Sequence, residues 1–144
     1  MQLNRTKRPL TDGDINFNIP SVNNFELNNS LKIFFSEKND LPIIRITLLV
    51  NSGSRFDPVK NKGLSNLLTM CIDEGAGYLN ALQLADEFEM LGAQFSVASN
   101  SDVSFISLQV LSENFFPALK LFKSVITEPH LNQDDFPIHV GCGK

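Results

Sequence analysis

The chain has no tryptophan, only two cysteines and two histidines, and a formal net charge of −4 over 144 residues. Each shortage excludes something. Two cysteines, Cys71 and Cys142, cannot make the disulfide framework of a small secreted domain. The mild negative charge, with no aromatic residues set among basic ones, argues against a nucleic-acid surface. No apolar run approaches membrane-spanning length; the longest, Ile46–Val50, is interrupted by Thr47 and has the length of a strand. Basic residues in Met1–Leu10 are not followed by an apolar segment, so this stretch does not read as a secretory signal. A reducing cytoplasmic setting is the expectation.

What is present is a globular composition. Hydrophobic residues make up 42% and charged residues 19%, which suits one packed domain rather than a disordered chain. Twelve phenylalanines load the core heavily, or supply part of a partner interface.

Periodicity divides the chain. Residues 1–24 read as an extended arm. Residues 25–131 read as a folded α+β domain, and 132–144 as an irregular tail with an altered or truncated end. Phe25–Asn28 and a segment with Leu31, Ile33 and Phe35 on one face read as strands joined at Asn28-Asn29-Ser30, where asparagine tolerates positive φ. Pro42 opens a β-branched strand over Ile43–Asn51, with Ile44, Ile46, Leu48 and Val50 on its buried face. A helix is expected over Gly63–Glu74, with Leu64, Leu67, Leu68 and Cys71 as its buried stripe, closed by Gly75-Ala-Gly77. Asn80 and Gln83 have capping-box spacing for a second helix, with Ala81, Leu84, Ala85, Phe88 and Leu91 buried and Gly92 just past its end. Ala93–Ala98 and Val103–Leu111 read as strands. Phe115, Ala118, Leu119, Phe122, Val125 and Ile126 mark a third helix, with Pro117 in its first turn and Pro129 beyond its end. Short turns between neighbouring strands predict an antiparallel sheet with helices packed on one face.

Several short segments, in order, carry a resemblance. They are Leu3–Pro9 with Pro20, Asn29-Ser-Leu-Lys-Ile33, Leu41-Pro42, Asn51-Ser-Gly-Ser-Arg-Phe-Asp57, Gly63-Leu64, Asp73-Glu-Gly-Ala-Gly77, Ala85 to Ala93, and Leu111-Ser-Glu-Asn114. Together they resemble the N-terminal region of the pitrilysin/insulinase family of zinc peptidases, which includes the mitochondrial processing peptidases. Active members carry H-x-x-E-H on the helix after the Gly-Ser-Arg-x-Asp segment. There the two histidines bind zinc and the glutamate activates water. The five matching positions here read Asn66-Leu67-Leu68-Thr69-Met70.

Asn66 is a poor zinc ligand, Met70 suits softer metals, and Thr69 cannot serve as a general base near neutral pH. The resemblance therefore implies a non-catalytic subunit, or an N-terminal fragment of one, with no catalytic residue and no metal of its own. It implies a partner subunit bearing H-x-x-E-H and zinc, self-association as an alternative, and peptides as substrates, with no nucleic acid and no membrane. Such a subunit would supply chamber wall and partner interface for peptide degradation or processing. A structural or assembly protein of the same fold, without proteolysis, is the alternative.

Other candidates for chemistry are sparse. His130 and His139, with Asp134, Asp135 and Cys142 nearby, fit no zinc spacing and read as solvated tail residues. Asp73-Glu74 and Asp134-Asp135 are adjacent carboxylates that diverge rather than converge on a substrate.

Overall fold

In the computed structural model, which describes residues 19–38 and 40–131, the chain forms two compact units divided between Leu41 and Pro42. The first unit holds a hairpin of β1 (Asn23–Glu26) and β2 (Lys32–Phe35), paired antiparallel with Phe25 opposite Ile33. Its turn closes through the Leu27 amide donating to the Leu31 carbonyl and the Ser30 amide donating to the Leu27 carbonyl, both at 2.9 Å. Ser30 adopts φ 65°, in the left-handed region that side chains other than glycine's disfavour. Strand alternation places Phe25, Leu27, Leu31, Ile33 and Phe35 on one face, where the rings of Phe25 and Phe35 meet edge to face. Apart from half-buried Ile33, every residue of both strands is exposed.

The second unit is built on an antiparallel sheet of three strands, β3 (Ile43–Val50), β6 (Gln94–Ser99) and β7 (Ser104–Leu111), in the order β3-β7-β6. Between β3 and β6 lie α1 (Leu64–Cys71), a hairpin of β4 (Gly75–Ala76) and β5 (Leu79–Asn80), and α2 (Ala81–Met90). After β7 comes α3 (Phe115–Thr127). Register puts Ile46 and Phe95 on either side of Leu108, and Leu48 and Val97 on either side of Ile106. These side chains share one sheet face, which α2 and α3 cover with Leu84, Phe88, Ala118, Phe122 and Val125. Phe95 is the aromatic centre of that layer. It stacks on Phe88 at 5.3 Å between centroids and meets Phe122 edge-on at 6.2 Å. The α+β antiparallel fold expected from the sequence is the fold observed.

Local chemistry explains the ends of these elements. Asn80 caps α2 as its spacing requires: its side chain accepts from the Gln83 amide at 2.9 Å, and the Gln83 side chain accepts from the Asn80 amide at 3.1 Å. Gly92, at φ 61°, ends the helix. Pro117 sits in the first turn of α3, where no intrahelical donor is lost.

Four expectations need correction. The stripe on α1 is narrower than its leucines suggest, because Leu64 and Leu68 remain 46% and 40% exposed while Cys71 and Ser65 are buried. Val50, at the end of β3, is exposed rather than part of the buried face. Ala85 of α2 is exposed too. Finally, Gly75-Ala-Gly77 does more than end a helix. Gly75 and Ala76 pair with Asn80 and Leu79, and Ala76 also bridges Pro129 beyond α3.

Candidate functional site

The loop between β3 and α1 is tied at both ends. Three successive amides, of Gly53, Ser54 and Arg55, donate to the carbonyls of Asp102, Asn100 and Ser101 in the β6–β7 turn, at 3.2, 2.9 and 3.0 Å. The Arg55 guanidinium donates to the Asp102 carboxylate. Gly53 is required by this closeness: a Cβ there would lie 2.5 Å from backbone atoms of Ser101 and Asp102. Beside it the hydroxyls of Ser52, Ser99 and buried Ser104 join, Ser52 donating to Ser104 at 3.0 Å. The turn is itself held by Asn100, whose side-chain oxygen accepts from the Asp102 and Val103 amides, both at 2.8 Å.

At the other end the loop holds the start of α1. Gly63 is the residue before the helix and has no side chain to cap it. Asp57 takes that task from six residues upstream. Its carboxylate accepts from the Gly63 amide at 2.8 Å and the Ser65 amide at 3.0 Å, with the Ser65 hydroxyl at 3.4 Å. Desolvation by its surroundings pushes the Asp57 carboxyl up. The hydrogen bonds from Ser65 and Gly63 and the charge of Lys62 together outweigh it and hold the group below its ordinary value.

The helix so held presents Asn66, Thr69 and Met70. Asn66 and Met70 lie one turn apart on an exposed face, where the Asn66 amide nitrogen is 3.9 Å from the Met70 sulfur. The Thr69 hydroxyl donates to the Asn66 carbonyl at 2.7 Å, so it serves the helix's own backbone. Beside them an open depression of about 410 Å³ is lined by Lys62, Leu64, Leu67, Asn66 and Met70. An amide, a thioether and an engaged hydroxyl do not fit zinc, which takes imidazole, thiolate and carboxylate. Among the described residues no group of three or more His, Cys, Asp and Glu could hold a metal ion.

Asp73 and Glu74 lie in the turn after α1. His130 is not a solvated tail residue. It is half-buried, with Nε2 2.6 Å from the Gly77 carbonyl and its amide donating to the Gly75 carbonyl at 2.8 Å. Its ring packs against Gly75, where a Cβ would lie 2.6 Å from Nδ1. His139, Asp134, Asp135 and Cys142 lie outside the described residues. Sequence reasoning missed the contacts of His130, and the closely spaced Gly75 and Gly77 that it meets were the available signal.

A three-stranded antiparallel sheet with helices on one face, and a helix pinned beside the end of its first strand, define an α+β domain. The family described as Insulinase (Peptidase family M16) matches residues 33–138, well over half of the chain, and the chain belongs to that family. It is 28% identical over 111 residues to an uncharacterized zinc protease of Rickettsia felis, covering 77% of this chain and 26% of that protein. It is 22% identical over 130 residues to the mitochondrial-processing peptidase subunit beta of Bos taurus, covering 90% of this chain and 26% of that protein. Among solved structures it is similar to a peptidase M16 inactive domain from Pseudomonas fluorescens. That match has TM-score 0.80 and 28% identity, and covers 85% of this chain and 30% of the other. A protease from Helicobacter pylori shares the fold, with TM-score 0.75 at 18% identity over 86% of this chain and 30% of the other. The chain thus spans about a quarter of the length of these curated relatives.

No helix among the described residues is long and apolar enough to cross a membrane.

Proposed function

We propose that this chain is a non-catalytic subunit, or part of one, of an insulinase-type zinc peptidase. One observation carries the reading. The loop and helix that by resemblance match the zinc-site frame of active members are held by hydrogen bonds to Asp57, and the helix presents Asn66, Thr69 and Met70. None of the three can ligate zinc well or activate water. The similarity to a structure described as an M16 inactive domain supports the same reading. Zinc and the H-x-x-E-H helix belong to a partner subunit in this scheme. This chain supplies chamber wall and partner interface, and peptides are the substrate, in a cytoplasmic setting.

The test is recovery of the partner. Affinity purification of the tagged chain from its source cells should recover a subunit bearing H-x-x-E-H. The complex should then cleave unstructured peptides in a chelator-sensitive way, while the chain alone should not. A partner-bound complex with no peptidase activity would favour the structural or assembly role. Zinc-dependent cleavage by the chain alone would overturn both readings.

A further inference from the structure

We propose that residues 53–57 form a clamp through which the β6–β7 turn positions α1, so that the angle of the Asn66–Met70 face is set by a hairpin turn. The inference is independent of any partner or substrate. Its basis is that four of five consecutive residues, Gly53, Ser54, Arg55 and Asp57, carry polar ties to two separate elements. Gly53, Ser54 and Arg55 donate three amides to three carbonyls of one turn, and the Arg55 side chain adds a charged bond to Asp102. Two residues on, the Asp57 carboxylate holds the amides of Gly63 and Ser65.

Little slack lies between the two anchors. Phe56 donates its amide back to the Gly53 carbonyl at 2.9 Å and Asp57 donates to the Ser54 carbonyl at 3.3 Å, closing a tight 3-10 turn over Ser54–Phe56. These two bonds join Gly53 and Ser54 directly to Phe56 and Asp57, so a displacement at Gly53 is passed to Asp57 through them. The start of α1 has no cap of its own: Gly63 offers no side chain, and the acidic residues that would stabilise a first turn are absent from it. Positioning therefore falls to Asp57, and Asp57 is placed by the turn that Gly53 and Arg55 anchor. Gly53, Arg55 and Asp57 are positioning residues in this account, and none of them touches the exposed Asn66–Met70 face through an observed hydrogen bond.

Amide hydrogen exchange on the full chain tests the coupling, read at Gly63 and Ser65 with Ile106 and Leu108 as core references. Asp57→Asn should speed exchange at Gly63 and Ser65 by about three- to tenfold, the factor one ordinary hydrogen bond is worth. Gly53→Ala and Asp102→Asn touch neither amide, yet both should speed the same two while Ile106 and Leu108 keep their protection. Wild-type exchange at Gly63 and Ser65 in both of these variants would overturn the clamp, as would an Asp57→Asn variant without effect there. Should Gly53→Ala also expose Ile106, Asp102→Asn decides, because it removes only the charge of the pair with Arg55 and leaves the backbone intact.

Discussion

The hairpin of β1 and β2 and the sheet of β3, β7 and β6 are written in the same alphabet but differ in how they are covered. Both place an apolar row on one face, and both pair antiparallel. On the sheet, the apolar side chains meet α2 and α3, and Leu108 is 1% exposed. On the hairpin, Phe25 and Phe35 remain 48% and 45% exposed. Binary pattern sets which face of a strand is apolar; only a second layer of structure makes that face a core. An isolated two-stranded hairpin is marginal in water, so its stability rests on its turn and on whatever its apolar face meets.

The largest expected effect separates the two regions. Leu108→Ala should cost about 2–5 kcal/mol of unfolding free energy, because it opens a cavity between Ile46, Phe95 and the helices. Phe34→Ser, on the other face of the hairpin, should change it by less than about 0.5 kcal/mol. Urea unfolding of both variants measures the contrast. Equal losses would mean that the hairpin is as well packed as the sheet.

The second prediction concerns the hairpin's apolar face. Phe25, Leu27, Leu31 and Phe35 form an open strip on a two-stranded unit, which favours concentration-dependent self-association. Burying the half-exposed ring of Phe25 is worth roughly 1 kcal/mol, so Phe25→Ser should weaken association by about fivefold. Sedimentation velocity across micromolar concentrations reads this directly. A clean monomer throughout would show that the face is not adhesive.

The next effect is smaller and lies wholly in the second unit. The folded-state value of Asp57 is depressed below the ordinary 3.8, so its contribution is fully present above that value. It is lost as pH falls through the depressed folded value, when the protonated carboxyl no longer holds the Gly63 and Ser65 amides as well. Chemical shifts of those two amides should show an acid transition below pH 3.8 that is absent in Asp57→Asn. The same transition in both would assign it to another group.

Much of this architecture is legible in the sequence because it obeys local rules. The capping box at Asn80 and Gln83, the period of α3 and the alternation of β7 each state a structure within a dozen residues. The helix that carries Asn66, Thr69 and Met70 is legible too, because Gly63 and the leucines after it mark its start. What could not be read depends on distant partners. Nothing near Leu64 or Leu68 says that they stay exposed while Ser65 is buried. Asp57 acts on a helix six residues later, and Gly53 is fixed by a turn almost fifty residues away. The Gly75–Asn80 hairpin has strands of two residues, too short to show a period, and its partner Pro129 lies beyond another helix.

The smallest expected effect tests the hairpin's turn alone. Ser30 holds φ 65°, a conformation that costs an ordinary L-residue about 1–2 kcal/mol and glycine almost nothing. Glycine returns about 0.5–1 kcal/mol of that gain through its greater freedom in the unfolded chain. Ser30→Gly should therefore stabilise the β1–β2 hairpin by about 0.5–1 kcal/mol. The turn's hydrogen bonds are backbone bonds apart from the Asn29 side chain's contact with Leu31, so the substitution removes none of them. The gain should appear as exchange at the Leu27 amide slowed by about two- to fivefold. Protection of Ile106 and Leu108 should not change if the hairpin opens on its own. Slower exchange at all three sites would instead show that hairpin and sheet unfold as one unit, which would remove the contrast between covered and uncovered strands.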